Sequence, residues 1–211
     1  MLFEDHEMID NSQNDFRTTQ LNPDLLSTPF RVQTNWHVIT GAPCCGKTTL
    51  IDQLADKGFQ TVPETARQYI ERDIAEGRTT HPIRADATAL QRCIKDMQLR
   101  IECGLRANEV LFLDGALPGS LGWYRVYGLN PNEILADCFH HRYLSVFMLD
   151  LLPFQLDDER VEEMSDIVNF LDEWQSHDYS TLGYHVVRVP VLPPDDRLVF
   201  VLERLSELGL I

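Results

Sequence analysis

Short apolar runs alternate with longer amphipathic stretches along this chain. Trp36-His37-Val38-Ile39-Thr40 is an apolar run of strand length. Leu50-Ile51-Asp52-Gln53-Leu54-Ala55 has helical apolar spacing, and Lys57-Gly58 is a favourable helix end. Phe59–Pro63 reads as a second short strand with Glu64 at its end. Thr65–Glu76 is helical by pattern, with Ala66, Tyr69, Ile70 and Ile74 on one face and Gly77 as the stop. A polar loop at Arg78–Arg84 precedes a long helix over Ala85–Asn108. Val110–Leu113 is a third strand, closed by Asp114. Two shorter helices, Ser120–Tyr127 and Pro131–His140, lead to a fourth strand, Tyr143–Leu149, closed by Asp150. Phe154–Glu163 is an acidic loop containing one arginine, Arg160. A helix over Met164–His177, a strand over His185–Val189 and a helix over Asp195–Leu208 complete the chain.

This alternation predicts an α/β fold with a parallel sheet covered by helices on both faces. Residues 1–33 are rich in Asn, Asp, Gln, Thr and Pro and poor in apolar groups. They are expected to form an extended or disordered arm that adds little to the core before Phe30. Residues 34–211 form one domain, with a short lid near 154–163.

Between the first strand and first helix lies Gly41-Ala42-Pro43-Cys44-Cys45-Gly46-Lys47-Thr48-Thr49, a match to GxxxxGK[ST] in its strand–turn–helix context. Glycines let consecutive backbone N–H groups converge on one hollow, and the helix N-terminus adds unpaired donors and the positive end of its dipole. Lys47 is expected on the β- and γ-phosphates, the Thr48 hydroxyl on Mg²⁺, and Thr49 near the α-phosphate. The nucleotide is read as ATP, with GTP left open. A guanine-reading NKxD motif needs a lysine, and none of Lys47, Lys57 and Lys95 has that context.

A second acid is needed near the metal. Asp114 is favoured over Asp150 because Gly115 leaves room for substrate. Glu64 reads either as the base that takes a substrate proton or as a helix-capping acid, with Arg67 one turn later as its partner. Arg160 reads either as a lid arginine for the transferring phosphoryl group or as a surface ion pair. Tyr124 and Arg125 read either as lining of an acceptor pocket or as core. His140-His141 reads as a polar helix end rather than a metal site.

The formal charge of −15 repels nucleic acid and anionic lipid, so neither is expected as a partner. No run is apolar and long enough to span a bilayer, and the acidic start Met1–Asp5 lacks the basic region of a signal peptide. Five cysteines without zinc spacing fit a reduced, cytoplasmic protein. Cys44 and Cys45, beside Lys47 at a helix N-terminus, read as small loop residues or as a redox pair with lowered thiol pKa. A homo-oligomer is left open.

With the phosphate loop stand Pro63-Glu64-Thr65-Ala66-Arg67, Phe112-Leu113-Asp114-Gly115, Trp123–Leu129, Asp157–Glu162 and Gly183–Pro190. In these segments the chain, from about Asn35 to Ile211, resembles the small AAA-domain predicted ATPases. That group sits with the nicotinamide riboside kinase domain of bifunctional NAD regulators. The resemblance implies a P-loop NTPase fold like that of nucleoside and nucleotide kinases, with a five-stranded parallel sheet and a short lid. It implies that Glu64 and Arg67 face the acceptor, that Asp114 is the acid on the strand beside the P-loop, that Arg160 belongs to the lid, and that Pro190–Pro193 border the base. Family members commonly have Asp-Arg-Gly where this chain has Asp114-Gly115-Ala116. That departure bears on phosphoryl transfer more than on nucleotide binding. The expected activity is transfer of the γ-phosphoryl group to a hydroxyl of a small, nucleoside-like acceptor. The alternative is a nucleotide switch or slow ATPase read by a protein partner.

Overall fold

A computed structural model describes residues 16–69, 87–153 and 160–210. Its strands are β1 (Val32–Gln33), β2 (Trp36–Thr40), β3 (Gln60–Val62), β4 (Leu111–Asp114), β5 (His141–Arg142), β6 (Ser145–Leu149) and β7 (Val186–Val189). Its labelled helices are α1 (Pro23–Leu26), α2 (Lys47–Asp56), α3 (Ala87–Gly104), α4 (Ser120–Val126), α5 (Asn132–Leu135), α6 (Arg160–Thr181) and α7 (Pro194–Glu207). Residues 65–69 are also helical.

Five strands form one parallel sheet in the order β3-β4-β2-β6-β7. The central strand β2 carries the P-loop at its carboxyl end, with β4 and β6 as neighbours. Its pairing sets Ile39 opposite Asp114 on one side and Thr40 opposite Met148 on the other. Every residue of β2, β4 and β6 is buried, which is why these strands read as continuous apolar runs rather than as alternation.

Side chains on successive strand residues leave by opposite faces. Trp36, Val38, Leu111, Leu113 and Val146 fill one core with Leu117, Leu121 and Tyr124, and with Tyr179 from α6. Ile39, Phe112, Phe147 and Leu149 fill the other with Leu50, Ile51 and Leu54 of α2 and Leu198, Val201 and Leu205 of α7. The sheet is thus a septum between two apolar layers, and its rim is left for polar residues.

Residues 16–33 depart from the expectation for the arm. Leu21 is buried in the first core, and Leu25, Leu26 and Phe30 pack against it. Phe30 lies 5.1 Å from the Phe139 ring, and β1 pairs in parallel with β5. Few apolar residues sufficed because each meets a prepared site. Asn22 N–H, moreover, donates to Asn132 Oδ1 at 2.8 Å and Arg125 Nε to the Thr19 carbonyl at 3.0 Å. Residues 1–15 lie outside the described residues.

The helix α6 begins at Arg160, inside the stretch expected as a loop. Acids in a first helical turn complement the helix dipole, so acid density is no bar to a helix there.

Candidate functional site

The loop from Gly41 to Gly46 owes its shape to backbone that few side chains tolerate. Gly41 has φ 137°, and a Cβ there would meet Cys45 Sγ at 2.9 Å and the Leu149 carbonyl oxygen at 3.0 Å. Gly46, at φ 90°, is the N-cap of α2. Cys44 also lies in the left-handed region, at φ 62°, alone among the described non-glycine residues. Such conformations cost of order 1–3 kcal/mol and persist where the surroundings hold them.

Lys47, the first residue of α2, folds back over the loop. Its Nζ donates to the carbonyls of Gly41 at 3.0 Å and Ala42 at 2.9 Å. The ammonium is therefore held against the backbone of the loop. Thr48 and the exposed Thr49 follow in the first turn of α2. Ala42 and Cys45 are fully buried and Pro43 is half-buried.

Cys45 is a loop-packing residue. Burial pushes its thiol above the usual range, against the pull of Lys47 and of Arg197. The expectation of a lowered thiol pKa is reversed here, because loss of hydration outweighs the neighbouring charges. Cys44 is exposed.

Asp114 ends β4, and its Oδ2 lies 3.5 Å from the Thr48 hydroxyl. Its other oxygen, Oδ1, is buried without a hydrogen-bond partner among the described residues. Burial raises the carboxyl pKa to about 6; Lys47 and Arg67 pull it down, and Glu64 pushes it up. These couplings set Glu64 and Arg67 within electrostatic reach of Asp114, on the rim made by the ends of β3, β4 and β2. Glu64 is half-buried and Arg67 exposed. An orphaned carboxylate oxygen beside a threonine hydroxyl is a donor set suited to a hydrated, hard divalent cation.

Asp150 is engaged elsewhere. It accepts from Arg188 Nε at 2.7 Å, and Arg188 also binds Asp172 at 3.1 Å. This ion-pair group ties β7 to α6, so of the two strand-end aspartates Asp150 is the one held by an arginine.

Of the two readings of Tyr124 and Arg125, burial favours core packing over the lining of an acceptor pocket. Tyr124 is 1 % exposed and Arg125 0 %. Arg125 is locked to Asp178 and lies 3.9 Å over the Trp174 ring. Both residues fall on the inner face of α4, whose apolar partners Leu121 and Leu117 fix its rotation. The side chain of Arg160 and residues 154–159 of the expected lid lie outside the described residues.

Arg197 is a buried contact of the loop that the sequence did not single out. This side chain is 4 % exposed, and its Nη1 donates to the Cys45 carbonyl at 2.6 Å. One signal was present: Arg197 lies four and eight residues before Val201 and Leu205, on the buried stripe of α7.

A sequence model of the family described as AAA domain matches residues 36–197. No curated protein matches the chain. Among solved structures, the NadR protein in complex with NR superposes with a TM-score of 0.58 at 18% identity, covering 82% of this chain and 50% of that one. The NadR protein in complex with NAD and AMP-PNP gives 0.57 at 17% identity, covering 82% and 49%. Thymidylate kinase from Candida albicans gives 0.50 at 14% identity, covering 84% and 93%. The chain thus spans about half the length of the NadR chains it matches. At these identities the likeness is one of fold, and the fold is that of P-loop kinases.

Proposed function

The chain belongs to the AAA-domain family, and from that premise we propose that it is a Mg²⁺-dependent phosphotransferase. It moves the γ-phosphoryl group of ATP to a hydroxyl of a small, nucleoside-like acceptor. The observation that carries this reading is the meeting of Lys47, Thr48 and Asp114 at one rim, with Glu64 just after the neighbouring strand and Arg67 in the helical turn that follows it. A site for hydrolysis alone has no need of a further acid and arginine beyond the strand next to the phosphate loop.

Each residue has a role. The backbone of Gly41–Gly46 cradles the phosphates, and Lys47 moves from its carbonyl partners onto the β- and γ-phosphates. Thr48 and Asp114 would hold the metal ion, which when bound would neutralise phosphate charge. Glu64 takes the proton of the acceptor hydroxyl as that oxygen bonds to the γ-phosphorus and the bond to the leaving ADP breaks. Arg67 orients the acceptor. Arg160 stabilises the transferring charge.

A second reading is a slow ATPase or nucleotide switch, and Asp114-Gly115-Ala116 favours it, because no arginine follows the acid. A transfer assay with Mg-ATP and a panel of nucleosides decides between the two. Phosphorylation of any acceptor supports the kinase. Release of inorganic phosphate with no acceptor, unaffected by any nucleoside, supports the ATPase. ATP binding with neither activity supports the switch.

A further inference from the structure

Two arginines are buried among the described residues, and they are treated differently. Arg125 is neutralised by Asp178. Among the described residues Arg197 makes a single hydrogen bond, from Nη1 to the Cys45 carbonyl, and its Nε and Nη2 are buried with no partner there. A charged group held out of water without a counter-ion is costly, and native proteins rarely leave one so. Arg197 also sits at a particular place. It lies in the first turn of α7, and its Nη1 is 3.2 Å from where a Cβ on Gly46 would stand. Gly46 is the N-cap of α2, the helix whose N-terminus closes the phosphate loop.

The two orphaned nitrogens are those that present their N–H groups side by side. That edge of a guanidinium matches two oxygens of one phosphate in a bidentate pair. Lysine, a point charge, offers no such fork.

We propose that Arg197 is a phosphate ligand of the bound nucleotide: Nη1 stays on the Cys45 carbonyl while Nε and Nη2 grip phosphate oxygens. The inference rests on the nucleotide-binding reading given above. On it, α7 holds the loop and the ligand together, and the unpaired charge is the ligand-free half of an ion pair. This role is separate from that of Lys47, which approaches from α2 through its own carbonyl partners.

The test compares wild type, Lys47→Ala, Arg197→Met and Arg197→Lys. Calorimetric titration with Mg-ATP and with Mg-tripolyphosphate, which has no base or ribose, gives affinities; thermal melts give ligand-free stability. Arg197→Met is expected to weaken both ligands tenfold or more. Its ligand-free melting temperature should stay level or rise, because an unpaired buried charge has been replaced by an apolar side chain of similar length. Arg197→Lys should fall between. Loss of ATP affinity with tripolyphosphate retained would make Arg197 a reader of the base and overturn the proposal. A lowered melting temperature with both ligands weakened would make it a strut for the loop and also overturn it. Undiminished binding by Arg197→Met, with Lys47→Ala silent, would remove Arg197 and leave the nucleotide reading standing. Failure of wild type to bind either ligand would remove both.

Discussion

The Thr48 hydroxyl and the Asp114 carboxylate face each other at 3.5 Å, joining the first turn of α2 to the end of β4. Burial holds Asp114 at a pKa of about 6, well above its ordinary value of 3.8. Below pH 4 the carboxyl is protonated in folded and unfolded chains alike, and no penalty arises. Between pH 4 and 6 the folded chain keeps a proton that the unfolded chain releases, so stability falls as pH rises. Above pH 6 the penalty is complete, at a ceiling of roughly 3 kcal/mol. Asp114→Asn should therefore melt higher than wild type at pH 7.5 in EDTA, and the gap should close towards pH 4. A gap independent of pH would show that another group titrates. The proposed reaction needs the ionised carboxylate at the metal, so the turnover rate of wild type should fall below pH 6 while its affinity for Mg-ATP changes little.

Lys47→Ala should abolish the thermal stabilisation given by Mg-ATP, since a ligand stabilises only the state that binds it. The two carbonyl contacts of Nζ are lost as well. The ligand-free protein should then be less stable by about 1 kcal/mol. Stabilisation equal to that of wild type would mean that the nucleotide sits elsewhere.

Arg125 and Asp178 form a two-pronged ion pair, at 2.6 and 3.0 Å, with both side chains sealed from solvent. Burial raises the Asp178 pKa, opposed by Arg125. Removing one partner strands the other charge, so Arg125→Met or Asp178→Leu alone should destabilise by about 3–5 kcal/mol. The double variant should lose much less than the sum. Denaturant unfolding of the four proteins measures this, and strict additivity would show that the pair is not coupled.

Much of this was legible in the sequence for a simple reason. β2, β4 and β6 are buried on both faces, so their apolar runs and terminal acids stand out, and parallel pairing brings those ends to one rim. What could not be read depends on side-chain direction and distant partners. Whether Arg125 lines a pocket or belongs to the core stayed open because its partner, Asp178, lies 53 residues away on another helix. The docking of residues 16–33 was hidden because Leu21 and Phe30 meet receiving surfaces built by residues far along the chain, Phe139 and Tyr184 among them. Leu21→Ala should accordingly destabilise by about 2–4 kcal/mol and lower the melting temperature by roughly 5–10 °C. A change within a degree would return this segment to the status of a loose arm.

The roles of Glu64 and Asp114 separate in a last experiment. Both acids lie on the rim, but Asp114 ends the strand beside the P-loop strand and Glu64 follows the strand beyond it. Asp114 shares its surroundings with Thr48 and Lys47. Its replacement by Asn should slow both transfer and background hydrolysis while nucleotide affinity changes little, because the loop supplies most phosphate contacts. Glu64, half-buried and one strand further out, has no hydrolytic task in the proposed reaction. Glu64→Gln keeps the shape of the side chain but cannot take the acceptor's proton, and general-base catalysis typically contributes 10²–10⁴-fold. Transfer should fall within that range and hydrolysis should persist. A helix-capping acid behaves differently: its loss costs about 1 kcal/mol of stability and leaves both rates alone. Measuring both reactions in both variants, alongside their melting temperatures, separates these outcomes. Equal and small effects of Glu64→Gln on transfer and hydrolysis would strike it from the catalytic set, and the case for a phosphotransferase would fall back on the nucleotide site alone.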